Sequence, residues 1–230
     1  SSVVEDHYIY LSTPEPVPFS VTVKRGNGTQ VQGSPFTISN GNPVRVTIGS
    51  GEPSTMFISN SDVNIVKSDK GLILEGSKDF YATFKIRAAN HAEIVVSKGI
   101  PGIGTQFRLG SIPQDYGGNI RNFVSSFMAT EDGTQVILSD YNTGVVFTSG
   151  TGDIGLDTQT FNLNKGQTVV VSGYSDVNVN NLKGFVGALL TSTKPIAVIT
   201  GNALGGFLTQ NDGQDFCLDQ IVSYEQIGNE

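Results

Sequence analysis

Asp176 to Asn202, DVNVNNLKGFVGALLTSTKPIAVITGN, decides how this chain is built, because it is its most apolar segment and an earlier copy accompanies it. The copy is Asp62 to Ile86, DVNIVKSDKGLILEGSKDFYATFKI. Both open on Asp-Val-Asn and a β-branched residue and then reach Lys-Gly, at Lys70-Gly71 and Lys183-Gly184. In each, an apolar strand, a short polar turn and a second apolar strand follow, which reads as a buried β-hairpin. Self-similarity on this scale means one architectural unit used twice.

Further landmarks recur in the same order. Phe36-Thr37-Ile38, Gly41 and Val44-Arg45-Val46 are matched by Phe161-Asn162-Leu163, Gly166 and Val169-Val170-Val171, and Gly28-Thr29-Gln30-Val31 by Gly133-Thr134-Gln135-Val136. Phe36, Ile38, Val44 and Val46 are expected to face inward. Phe19 to Lys24 is a strand, with Arg25-Gly26-Asn27-Gly28 turning the chain. The second copy carries an extra hairpin between Ile137 and Thr160, whereas the first has the longer connection, Gly49 to Ser61. The spacing predicts an all-β protein of two tandem, packed β-sandwich-like repeats, residues 1–97 and 98–205, with a short C-terminal extension, 206–230. Asp215 to Ile221 reads as a strand or a short helix belonging to neither repeat.

Charged residues make up 15% of the 230, while Gly alone counts 28, a balance of turns and strands rather than solvated helices. A net charge of -7 with 14 Lys and Arg offers no basic field, which makes nucleic acid and anionic membrane poor partners; no nucleic acid binding and no membrane insertion are expected. No apolar run is long enough for a membrane-spanning helix. Cys217 is the single cysteine, so no internal disulfide or thiolate cluster forms, and an exported bacterial protein fits better than a secreted animal one. Ser1 and Glu230 read as the ends of a piece, with a signal peptide and downstream domains expected outside it.

No catalytic constellation stands out, and the chain reads as no enzyme. Gly150-x-Gly152-x-x-Gly155 has the glycine spacing of a dinucleotide loop, but a Thr-rich strand follows where a helix is required, so it reads as a turn. His7 and His91 lack a nucleophile elbow or a zinc-type partner and read as packing residues. Cys217, between Phe216 and Leu218, reads as a small apolar strand residue. Acidic pairs drawn from Glu131, Asp132, Asp153, Asp157, Asp212 and Asp215 leave a carbohydrate-active enzyme as an alternative, disfavoured because no Trp is present to stack a sugar. Calcium is the one cofactor left open: Asp140-Tyr141-Asn142-Thr143-Gly144 and Asn211-Asp212-Gly213-Gln214-Asp215 supply oxygen donors, so Asp140, Asp212 and Asp215 are the candidate ligands. Asn27-Gly28-Thr29 is a formal sequon that also makes a good turn.

Lys194-Pro195-Ile196-Ala197-Val198-Ile199-Thr200-Gly201-Asn202, followed by Asp215-x-x-x-Asp219-Gln220-Ile221, resembles the IgGFc-binding protein N-terminal domain family, and Gly104-Thr105-Gln106-Phe107 is similar to its Gly-Thr-x-Phe strand. The likeness is best over residues 104–230. Asp219 stands where the family tends to have Glu, and Val222-Ser223 where prolines are usual. The resemblance implies an exported adhesin of the kind found in gliding, Bacteroidota-type bacteria that use type 9 secretion. It transfers no catalytic residue, and immunoglobulin binding is not inferred from the family's name. The expected function is a non-catalytic binding or adhesion module of a larger secreted or cell-surface protein. Its partner would be a glycan or protein on a surface, with the secretion machinery a further possible partner. The expected contacts lie on loops at the sandwich ends, at Glu52, Tyr141, Asn142, Asp153, Asn211 and Asp212. A structural spacer or secretion-cargo body with no ligand of its own is the alternative.

Overall fold

The computed structural model describes residues 5–51, 57–88, 91–114, 122–176, 178–206 and 214–226. Among them there is no α-helix; short 3-10 turns link fourteen strands. The first half contains β1 (Asp6–Ser12), β2 (Phe19–Arg25), β3 (Phe36–Ile38), β4 (Val44–Ser50), β5 (Leu72–Gly76), β6 (Tyr81–Ala88) and β7 (His91–Val96). These form two antiparallel sheets, in the orders β4-β1-β6-β7 and β3-β2-β5. Period-2 alternation decides what lies between them: Ile9, Leu11, Val21, Val23, Ile38 and Val46 are buried, and Phe36 and Val44 pack against them half-covered.

The second half contains β8 (Ile103–Arg108), β9 (Asn122–Ala129), β10 (Thr134–Ser139), β11 (Gln159–Leu163), β12 (Thr168–Tyr174), β13 (Leu189–Gly205) and β14 (Asp215–Gln220). Its pairings reproduce those of the first. β9 lies between β12 and β13 as β1 lies between β4 and β6, and β10 lies between β11 and β13 as β2 lies between β3 and β5. β14 borders β13 as β7 borders β6. The internal repeat read from the sequence is thus a repeat of topology, and β8 is the added strand.

The two opening stretches are not hairpins, however. β5 and β6 belong to different sheets, so the turn between them is a corner leading from one layer to the other. In the second copy the corner is absorbed into one strand of 17 residues. Leu189–Ser192 pairs with β10 and Ile196–Asn202 with β9, and the pairing with β8 shifts register between Thr191 and Ile196. The cause is local: Gly76-Ser77-Lys78-Asp79 lets the first copy turn, whereas Pro195 holds Lys194 extended. The Pro195 carbonyl takes both the main-chain N–H and the hydroxyl of Thr130, which ties the bend to β9.

Asp215 to Gln220, read as an extension, is a strand of the larger sheet. The predicted extra hairpin is reduced to one reciprocal main-chain pair, Phe147 with Ile154, and its Tyr141, Val145 and Phe147 fill the larger core beside Phe123 and Phe185. Cys217 is half-buried on β14, and burial raises its thiol pKa, in keeping with its apolar reading.

Among the described residues the halves are joined at two places. At the free edge of β12, Lys67 and Thr168 exchange both main-chain hydrogen bonds at 2.9 Å, and Asn64 N–H donates to the Val170 carbonyl at 2.8 Å. Gly26 and Gly166 meet back to back beside this contact, with no room for a Cβ at either, and Gly71 packs on the Met128 methyl. At the opposite edge, β7 and β14 run side by side without a main-chain ladder. Side chains bridge them: Asp215 accepts from Ala92 N–H, Glu93 from Leu218 N–H and Gln220 from Lys98 N–H, at 2.8 to 3.0 Å. Lys98 and Asp219 add an ion pair at 3.2 Å.

His7 proves to be a core residue, fully buried, with its ring edges against Phe57 and Phe84 and Nδ1–H donating to the Glu5 carbonyl at 3.2 Å. Nε2 has no partner among the described residues. Burial lowers its pKa below the ordinary 6.5. As pH falls through 6.5 the unfolded chain takes up a proton that the folded one refuses. Stability from this group is therefore full above that pH and declines below it, until the folded pKa is passed. Thermal melts from about pH 7 to about pH 5, above the main carboxylate range, are expected to show this decline. In His7→Phe, which copies the second half's Phe123, the decline is expected to flatten.

Candidate functional site

The outward face of β4-β1-β6-β7 carries a group of side chains that an ordinary solvated sheet would not. The register sets Thr47, Tyr8, Lys85 and Ile94 in one row across the four strands, and Arg45, Tyr10, Thr83 and Val96 in the next. Tyr81 stands opposite Ser12, diagonal to Tyr10. Neighbours in a row have Cβ atoms roughly 5 Å apart, so the side chains form one continuous surface. It is open: Tyr10 is 39% exposed, Tyr81 63%, Ile94 56% and Val96 46%. Isolated exposed apolar residues need no explanation, whereas a contiguous group rimmed by polar ones marks an interaction surface.

Its polar elements are ordered. Tyr8 and Tyr10 sit side by side with ring centroids 6.4 Å apart, and the Arg45 guanidinium lies over the Tyr8 ring at 4.7 Å. The Tyr8 hydroxyl donates to Asp6 at 3.0 Å. Hydrogen bonds from Ser50 and then Tyr8 hold the Asp6 carboxyl below its usual pKa, and the same bond raises that of Tyr8. Neither Arg45 nor Lys85 is in an ion pair among the described residues, and Arg45 lies within the field of the Asp6 carboxylate. Tyr and Arg on a rigid sheet are the residues enriched at contact hot spots.

The equivalent face of the second half is the one that the first half covers. Tyr10 pairs with Arg45 where Ser126 pairs with Val170, and Tyr8 with Thr47 where Val124 pairs with Ser172. Val124, Ser126 and Met128 are half-buried there, and the His91 ring meets Phe216 edge-on. In this fold the outer face of the larger layer is thus used for contact once already, between the halves.

Of the six residues expected from the sequence to bind a ligand, three lie among the described residues. Glu52, Asn211 and Asp212 lie outside the described residues. Tyr141 stands in the core with its hydroxyl donating to the Leu156 carbonyl, and burial pushes its pKa up to about 12. Asn142 and Asp153 are exposed. Of the calcium candidates, Asp140 is ion-paired with Arg108 at 3.0 Å, next to the start of β13, while Asp215 faces Gly205 at its end and is bonded to Ala92 and Phe216 N–H. Those two carboxylates therefore do not share a site. No group of three His, Cys, Asp or Glu close enough for a metal exists among the described residues. The sheet face went unseen in the sequence because Tyr8, Tyr10, Tyr81, Ile94 and Val96 are spread over three strands that only pairing aligns.

A family model described as IgGFc binding protein matches residues 92–230. The chain belongs to the IgGFc-binding protein family. A comparison with curated proteins finds no significant match, nor does one with solved structures. The matched span begins within β7, so it takes in the second half and the strand bridged to β14. The family's motif residues prove to be structural here. Thr200 donates to the Gly110 carbonyl at 2.7 Å, and the buried Asn202 accepts from Ile112 N–H at 2.6 Å, so together they tie the chain leaving β8 down over the sheet. A Cβ on Gly201 would overlap the Cys217 carbonyl. Gly104 abuts Ser223, Thr105 donates to Glu225, and Phe107 lies in the core. The IgGFc-binding family is a binding-type domain, found typically in secreted or surface proteins, and this chain is a β-rich binding module of that type.

Proposed function

We propose that this chain is a non-catalytic adhesion module of a larger secreted or cell-surface bacterial protein, exported by a type 9 route, and that it grips its partner with the open tyrosine face of β4-β1-β6-β7. The observation that carries the reading is the contiguity of Tyr8, Tyr10, Tyr81, Ile94 and Val96 on a solvent-facing sheet. Family membership supports the binding role; the single cysteine supports the bacterial host. Asn142 and Asp153, exposed on loops of the second half, form the other contact region of this reading.

Retention of the purified chain on mucin-coated, immunoglobulin-coated and bare polystyrene wells tests it. The double variant Tyr10→Ala/Tyr81→Ala is expected to cut retention at least tenfold on whichever surface holds the parent chain. Its Tm should stay within a few degrees, since both side chains lie on the open outer face of the sheet and neither belongs to the core. Unchanged retention would move the contact to the loops. Retention of function after exchange of the whole domain for an unrelated sandwich would make it a spacer.

A further inference from the structure

The equivalence of the halves points to what lies on the tyrosine face. In the second half the outward edge of β12 is occupied by extended chain: Thr168 N–H and C=O are taken by Lys67, the Val170 carbonyl by Asn64 N–H and the Ser172 carbonyl by Thr148 N–H. In the first half Pro43, Arg45 and Thr47 stand at the positions of Thr168, Val170 and Ser172. Main-chain groups of alternate residues point to the same side of a strand, so those of Arg45 and Thr47 face away from β1. No described residue pairs with them. Pro43 has no N–H to give and closes the ladder at that end. The open edge is therefore short; Arg45 stands on it, and Tyr8 and Tyr10 lie one strand in on the same face.

We propose that the β4 edge at Arg45 and Thr47 takes an extended polypeptide segment by strand addition, with apolar side chains leaning towards Tyr8 and Tyr10 and a carboxylate set against Arg45. Strand addition draws affinity from main-chain hydrogen bonds and selectivity from alternate side chains. The segment Asn60 to Val66, NSDVNIV, is the model for such a partner: it leads into the chain on β12, presents Ile65 and Val66, and carries Asp62. A short ladder supplies few main-chain bonds, so the tyrosines and the ion pair must provide most of the selectivity. The proposal rests on reading this face as the contact surface and adds the class of partner.

The test is an amide-resolved NMR titration of the intact, nitrogen-15-labelled chain with the capped peptide NSDVNIV, with its Asp62→Asn form, and with a heparin-derived tetrasaccharide as an anionic glycan. Strand addition predicts peptide-dependent shifts at Tyr8, Tyr10, Arg45 and Thr47. The apparent Kd should rise at least tenfold in Thr47→Pro, which removes the edge N–H while leaving the β1 ladder intact, and several-fold for the Asp62→Asn peptide. Shifts confined to Thr168–Ser172, no shifts, or shifts given by the tetrasaccharide alone would overturn it. If the tyrosine variants lose retention while the peptide fails to bind, the face survives as the contact surface and strand addition falls. If the peptide binds at β4 while those variants keep their retention, the tyrosine face falls as the adhesive contact and the edge site stands.

Discussion

Phe185→Ala is expected to lower the unfolding free energy by about 3 to 5 kcal/mol, the range for deleting a phenylalanine from a close-packed core. Phe185 lies in the turn before β13, yet it is fully buried. Its ring stacks on Phe123 at 3.9 Å between centroids, nearly parallel, and both rings meet Phe147 edge-on at 5.6 to 6.0 Å. Tyr141 closes the group against Phe147 at 5.0 Å. Removing one ring leaves the other three without a wall, and neighbouring Gly184 has no side chain to fill the gap. For a chain of this size the loss corresponds to a fall in Tm of roughly 10 °C. Val186→Ala, one residue on and 45% exposed, is the control and is expected to change stability by about 0.5 kcal/mol or less. Urea denaturation of the two variants side by side decides the matter.

The second large effect is expected from Gly201→Ala. Gly201 has φ +149° in the middle of β13, and a Cβ there would overlap the Cys217 carbonyl of β14 and crowd the Leu218 Cα. Main chain cannot move aside as a flexible side-chain tip can, so β14 must lift from β13, at a cost of about 3 kcal/mol. Lifting β14 also strains the bridges from Asp215, Glu93 and Gln220 that join it to β7, so the defect should reach the junction of the halves. Cys217 reports it directly. Its half-buried thiol, raised in pKa by burial, should react with a disulfide reagent at least tenfold faster in the variant. Gly155→Ala, where a Cβ would meet open space, should leave both stability and thiol reactivity unchanged. Equal reactivity in Gly201→Ala and the parent chain would show that the close approach of β13 and β14 is not what the glycine serves.

These two positions illustrate what pattern reading reaches. Gly201 and Asn202 were legible as family residues, and Phe185 as part of an apolar stretch; their physical roles were not, because a Cβ clash with Cys217 and a stack on Phe123 involve partners 16 and 62 residues away in sequence. Tyr141 was read as a loop residue from its Asp-Tyr-Asn-Thr-Gly context, which is good turn chemistry, and the turn is real. Its ring turns inward all the same and joins the core cluster with Phe123, Phe147 and Phe185.

The sequence by itself determined the fold class, the duplication and most strands. Apolar alternation with period 2 chooses which face of a strand leaves water, and glycine and proline mark where strands stop; both are local properties. Tertiary structure decided the rest. Whether two adjacent apolar strands pair with each other or pass into different sheets depends on what lies beside them, so β5 and β6 form a corner and their counterparts fuse into β13. Which outer face stays open depends on how the halves pack: residues 64–68 occupy the β12 edge, while the β4 edge, with Tyr8 and Tyr10 beside it, has no such partner among the described residues. A binding surface assembled across three strands exists only once register has aligned them, and register is set by all the pairings together.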